Sequence, residues 1–180
     1  VVFSYGDSSQ NGSRFELRYV NGKLGFYNGG ATLGSTTINP GEWTHVALVW
    51  NGYGIEGYVN GVEQFNNESF LNIDSSYFTF GGGLVSSQSN FFNGLIDEFR
   101  VWDYSMTYVE IINISGFSAD TSSSGLLSAY QMNEGAGTST VDAKSPLNAG
   151  GALLNGTAWS AEGAPINNYG VVNWSGGVPG

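Results

Sequence analysis

Short apolar or alternating runs recur along the chain, cut by glycine and Asn-Gly pairs, and helical periodicity is almost absent. This pattern predicts strands joined by tight turns. Arg14 to Val20 alternates, with Phe15, Leu17 and Tyr19 on one face. Asn21-Gly22 and then Lys23 to Tyr27 complete a predicted hairpin, because Asn-Gly readily supplies the two positive φ angles of a type I′ turn. Ile55 to Val59, Asn60-Gly61 and Val62 to Phe65 predict a second hairpin on the same grounds. Trp43 to Trp50 is the most apolar strand, and apolar residues on both faces of its second half predict a central position. Tyr77 to Phe80 reads as a short strand ended by three glycines. Phe92 to Trp102 reads as one long strand with a bulge or bend at Gly94. Leu126 to Met132 and Ala152 to Trp159 are further strands. A single short helix is predicted over Tyr108 to Asn113, opened by Thr107 and Glu110 at the spacing of a capping box, with a loop from Ser115 to Gly125. The expected fold is therefore all-β: an antiparallel β-sandwich with one short helix. Tyr-Val-Asn-Gly occurs at Tyr19 to Gly22 and again at Tyr58 to Gly61, but the flanks differ, so shared turn chemistry explains it better than an internal repeat.

Composition narrows the class. The 180 residues suit one domain, and 41% apolar with 14% aromatic residues is enough to drive burial. There is no cysteine, which excludes disulfides, thiolate metal sites and cysteine nucleophiles. Fifteen acids against five bases leave a net charge of −10. That balance argues against nucleic acid and other polyanions as partners. No stretch reaches about 18 apolar residues, so no membrane insertion is predicted. Low lysine with abundant Ser, Thr, Asn, Gly and Tyr suits an extracellular or cell-surface protein. Asn-x-Ser/Thr sequons stand at Asn11, Asn67, Asn113, Asn155 and Asn173, in a chain rich enough in these residues for chance to produce most of them. The chain begins at Val1 rather than Met, as expected of a processed chain or a fragment. From Ser160 onward Pro, Gly and Asn interrupt every apolar pair, so residues 161–180 read as a linker or exit tail and residues 1–160 as the sandwich.

Few residues carry recognisable chemistry. His45, the single histidine, shares a face with Trp43, Ala47 and Val49 and reads as a structural residue of its sheet. No Gly-x-Ser-x-Gly elbow is present. Asp97 and Glu98 are adjacent, and neighbours in a strand point to opposite faces, so the pair cannot flank one glycosidic bond. Asp7 to Gly12 matches the opening of a calcium-binding loop, but Arg18 stands where the bidentate Glu belongs, and a polar hairpin loop accounts for it better. Asp97 is the stronger candidate. If it shares a face with Phe99 and Val101, its carboxylate needs a metal, an Arg or backbone N–H groups as compensation. Tyr53, Tyr77, Phe91, Phe92 and Trp174 lie in or near turns, where aromatic rings can stack on sugars, although nothing in their spacing singles one out.

The run Gly41 to Gly52 (Gly-Glu-Trp-Thr-His-Val-Ala-Leu-Val-Trp-Asn-Gly), followed by Gly57-Tyr-Val-Asn-Gly61, resembles the laminin-G-like, concanavalin A-like jelly-roll domains of bacterial secreted and cell-surface proteins. So do Phe92 to Asp103, the Leu126 to Gly135 segment and Leu154 to Trp159. The resemblance covers about Val1 to Trp159 and implies two face-to-face antiparallel sheets. It implies a non-catalytic binding module of an adhesin-like protein, recognising glycan or a neighbouring protein domain of a longer chain through rim loops. A purely structural spacer and an accessory domain of a polysaccharide-degrading enzyme are the alternatives. The resemblance also implies a structural Ca²⁺ held by Asp97, the family's Gly-x-Ile-Asp-Glu aspartate. The apolar strands with which members usually open do not precede Val1, so the sandwich is expected to lack its first strands and the metal site some of its partners.

Overall fold

The computed structural model describes residues 1–6, 14–68, 71, 78–83, 90–146, 150–154 and 156–166. The Asp7 to Gly12 loop, Tyr77, Trp174 and the sequons at Asn11, Asn155 and Asn173 lie outside the described residues. The fold is an all-β antiparallel sandwich with one helix, and the chain divides into two compact units.

The first unit comprises Val1–Ile96 with Tyr104–Ser115. Its strands are β1 (Phe3–Gly6), β2 (Arg14–Val20), β3 (Lys23–Tyr27), β4 (Ala31–Thr37), β5 (Val46–Trp50), β6 (Gly54–Val59), β7 (Val62–Glu68) and β8 (Phe78–Phe80). They form a five-stranded sheet of order β4-β3-β2-β1-β8 and a three-stranded sheet of order β5-β6-β7, with every pairing antiparallel. Both predicted Asn-Gly hairpins are present. Asn21 and Gly22 take φ of 51° and 77°, and Asn60 and Gly61 take 48° and 76°. Two positive φ angles in succession match the twist of the flanking strands, which is why Asn-Gly sets the register at both places.

The two sheets meet through aromatic rings. Pairing puts Phe3 opposite Leu17, Tyr5 opposite Phe15 and Leu17 opposite Phe26, so these side chains share one face. Phe3 lies 5.6 Å from Phe15, Phe15 lies 6.2 Å from Phe26, and Phe26 lies 6.3 Å from Phe65 on β7. Gly57 stands opposite Phe65, and a Cβ at Gly57 would overlap the ring, so glycine leaves the space the ring fills. Polar contacts close the edge: Gln64 Oε1 accepts from the Thr36 N–H at 2.7 Å, and Asn67 Nδ2 donates to Thr32 Oγ1 at 2.9 Å.

Helix α1 (Tyr108–Ser115) belongs to this unit and runs two residues past the predicted end. Its capping box is formed: Glu110 Oε2 accepts from the Thr107 N–H and hydroxyl, both at 2.8 Å. Those bonds, the backbone one first, hold the Glu110 carboxyl below its usual range. Ile111 is buried, and a Cβ at Gly61 would overlap the Ile112 side chain.

The second unit comprises Asp97–Asp103 with Gly116–Gly180. Strand β9 (Phe99–Trp102) pairs with β10 (Leu126–Tyr130), and β11 (Ser139–Val141) pairs with β12 (Gly150–Ala152). Ala119, Leu126 and Ala129 form a small core against which Trp102 and Ala143 pack.

Several expected strands are shorter than the pattern suggested. The Phe92 to Trp102 run is a strand only over Phe99–Trp102. Glu98 takes a φ of 52°, a left-handed conformation that interrupts extended backbone. Met132, at φ 54°, lies beyond the end of β10 in the same way. The Ala152 to Trp159 run is irregular after Ala152, and Trp159 is anchored by its indole N–H, which donates to the Gly137 carbonyl at 3.0 Å. The Trp43 to Trp50 strand starts only at Val46, and among the described residues β5 is an edge strand rather than a central one. Its apolar outer residues are correspondingly open, with Trp50 49% exposed. Strands β1, β4 and β11 had no counterpart in the sequence reading.

The two hairpin glycines separate backbone cost from packing cost. Gly22→Ala meets only Thr37 Cγ2 at 3.7 Å and should cost about 1 kcal/mol, the strain of a left-handed alanine. Gly61→Ala adds overlap with Ile112, and overpacking typically costs a further 1–3 kcal/mol, roughly. Urea unfolding of both variants should therefore show Gly61→Ala clearly less stable. Equal midpoints would contradict this packing of α1 on the hairpin.

Candidate functional site

Asp97 and Glu98, the acids singled out by sequence, stand next to one another at the start of β9. Asp97 Oδ1 accepts from the Glu98 N–H at 2.9 Å, and Asp97 Oδ2 accepts from the Ala164 N–H at 2.8 Å. The carboxylate thus ties residue 164 back to the approach to β9. Because Glu98 leaves the extended region, the alternation that placed Asp97 on one face with Phe99 and Val101 does not run through it. Of the three compensations open to that carboxylate, the structure supplies backbone N–H groups.

Glu98 is more deeply engaged. Its Oε2 accepts from Arg100 Nη2 at 2.9 Å and from the Ala119 N–H at 3.0 Å, and its Oε1 accepts from the Ser118 hydroxyl at 2.8 Å. Gln131 Nε2 in turn donates to Ser118 Oγ at 2.8 Å, and Arg100 donates to the Phe117 carbonyl. The Glu98 and Arg100 side chains are 7% and 10% exposed, so the network is buried and its charges are matched. A carboxylate with these three partners in a buried network is a structural brace.

The described residues do not fit a calcium ion at Asp97. Calcium takes six to eight oxygens, about that many in most sites. Both Asp97 oxygens face N–H donors, and the adjacent Glu98 carboxylate is held by a guanidinium. Among the described residues no group of three or more His, Cys, Asp or Glu side chains gathers. Calcium here remains what the resemblance implies.

His45 does not sit in a strand. Its N–H donates to Asn60 Oδ1 at 2.9 Å, and its carbonyl accepts from the Asn60 N–H at 2.9 Å, so its backbone latches the β6–β7 turn.

The turn aromatics separate by exposure. Phe92 is half-buried, whereas Phe91 is 60% and Tyr53 85% exposed. Tyr53 rides the turn between β5 and β6, which is tightly braced. Asn51 Oδ1 accepts from the N–H groups of Tyr53 and Gly54, both at 2.9 Å. Asn51 Nδ2 donates to Glu56 Oε1 at 2.9 Å, and Glu56 Oε2 accepts from the Tyr58 hydroxyl at 2.6 Å. Burial, and then that bond to Glu56, push the Tyr58 phenol well above its usual range, so it stays a donor at all ordinary pH. An Asx turn locked from both sides holds the backbone of this most exposed residue in place.

Two buried carboxylates escaped the sequence reading. Asp142, 1% exposed, accepts from the N–H groups of Ala129 and Lys144, both at 2.9 Å. The Asp-Ala-Lys-Ser run that it opens carries a recognisable Asx-turn signal. Glu16, also 1% exposed, lies between Arg14 and Arg18 on β2, in an Arg-x-Glu-x-Arg alternation that one strand face must bring together.

The family model of the concanavalin A-like lectin/glucanases superfamily matches residues 1–112, and the chain belongs to this family. Among solved structures it is similar to a candidate carbohydrate-binding protein from Bacteroides ovatus, at 18% identity and a TM-score of 0.61, covering 91% of this chain and 54% of that one. It thus spans about half the length of that relative. A Clostridium thermocellum S-layer domain-containing protein also matches, at 24% identity and a TM-score of 0.36, covering 63% of this chain and 61% of that one. No curated protein matches the chain.

Asp97→Ala removes two hydrogen bonds to a carboxylate and should lower stability by about 1–2 kcal/mol. The loss should be the same in calcium and in EDTA. A parent protein that melts lower in EDTA, with Asp97→Ala blind to the chelator, would place the ion at Asp97 and contradict the fit drawn above.

Proposed function

We propose that this domain is a non-catalytic glycan-binding module of a cell-surface or secreted protein, and that the Tyr53 turn is its sugar platform. One observation carries the reading: the most exposed large aromatic ring among the described residues stands on a turn braced by three side-chain hydrogen bonds. A phenol ring offers a flat apolar face to the C–H face of a pyranose and a hydroxyl to its polar rim. Ordering the loop in advance removes an entropic cost that binding would otherwise meet. The superfamily and the B. ovatus neighbour support a sugar as ligand, and the engagement of Asp97 and Glu98 by structural donors supports the absence of catalysis.

A glycan array followed by titration calorimetry tests this. Tyr53→Ala should weaken binding to the best neutral oligosaccharide about tenfold or more, the scale of losing a central aromatic contact, with an unchanged melting curve. A folded parent that binds no glycan would favour the spacer role instead. Hydrolysis of a polysaccharide that disappears in Glu98→Gln would contradict the non-catalytic reading.

A further inference from the structure

The chain-wide excess of acid argues against anionic partners, yet charge is distributed very unevenly. On β2, Arg14, Glu16 and Arg18 alternate with Phe15 and Leu17, so the charged side chains share the face opposite the aromatic core. Pairing sets Tyr27 opposite Glu16 and Gly25 opposite Arg18, and Lys23 follows at the same parity. Three of the five basic residues of the chain therefore stand on one sheet face. Glu16 is the single acid on that face among the described strand residues.

The geometry is that of a held pair of guanidinium groups. Arg14 Nη2 lies 2.5 Å from Glu16 Oε1, and Arg18 places Nη2 at 2.5 Å and Nε at 2.6 Å from Glu16 Oε2. Arg18 also stacks 4.1 Å above the Tyr27 ring, with Arg14 at 5.6 Å. One arginine would neutralise Glu16, so the second leaves a net positive charge, and Lys23 adds another. Both arginine side chains remain about a quarter exposed, at 25% and 26%. Arg14 Nε is buried and meets no acceptor among the described residues, and such a donor is costly unless a ligand or water satisfies it.

We infer that this face binds a carboxylated saccharide, a uronide, with its carboxylate on the outer N–H edges of Arg14 and Arg18. Planar guanidinium groups match a carboxylate through paired N–H donors, and here Glu16 and Tyr27 hold both before the ligand arrives. A sparse anion with one charge per sugar suits a patch carrying two net charges, whereas a dense phosphate track does not. The choice of a saccharide rests on the function proposed above; the anionic character rests on this face alone.

Titration with oligogalacturonate and with its methyl ester tests the site. The acid should bind about tenfold tighter than the ester, with affinity falling as salt rises. Arg14→Gln, which leaves Arg18 to neutralise Glu16, should cost about tenfold. Lys23→Gln has no ion pair with Glu16 to lose and should cost about threefold without altering the fold, so it keeps the test valid if Arg14→Gln unfolds. Tyr53→Ala should leave uronide affinity within about twofold of the parent, as expected of sites without a shared partner. Equal binding of acid and ester, or parent-like affinity in both basic-residue variants, would overturn the inference. A neutral oligosaccharide that displaces the uronide and loses affinity equally in Arg14→Gln would overturn it while leaving the glycan reading intact.

Discussion

The contact of Phe26 with Phe65 across the two sheets is the constraint on which the first unit depends. Two sheets can stay face to face only if their inner side chains interdigitate. Here the interdigitating groups are aromatic and run from Phe3 through Phe15 to Phe26 before crossing to β7. Phe65 reaches across because Gly57 opposite it has no side chain. With the inner face given over to rings, the alternation of each strand places the other set of residues on the opposite face. Arg14, Glu16 and Arg18 are polar partners of Phe15 and Leu17, so the positively charged face follows from the same period of two that builds the core.

Local chemistry was legible in the sequence, and long-range pairing was not. Asn21-Gly22, Asn60-Gly61 and the Thr107–Glu110 box each act within four residues, and each is present as read. The family resemblance extended the reading to the sandwich itself. The central position expected of β5 failed because a strand's neighbours are chosen by distant segments, and no feature of Val46 to Trp50 reveals that one edge stays open. The Phe92 to Trp102 strand failed for a different reason. A left-handed glutamate carries no sequence signal, since Glu98 adopts that conformation through what surrounds it: the Asp97 carboxylate on its N–H, and Arg100, Ser118 and Ala119 on its side chain.

The candidate site divides along the same line. Asp97 was visible as an acid in need of compensation, but which compensation it takes depends on residue 164, some way off along the chain. Tyr53 was visible as one aromatic among five in turns. What distinguishes it is a brace built from Asn51, Glu56 and Tyr58 together with its exposure, and neither is a property of spacing. The sum of charges concealed the basic face, because a net of −10 says nothing about where the five bases lie.

The central claim is that saccharides meet this domain at two prepared places on the first unit, the Tyr53 turn and the basic face of the five-stranded sheet. Chemical-shift mapping on labelled protein tests it most directly. A neutral oligosaccharide should perturb the amides of Gly52, Tyr53 and Gly54, and a uronide should perturb the guanidinium signals of Arg14 and Arg18. Perturbations centred elsewhere, or none with either sugar at millimolar concentration, would contradict the account.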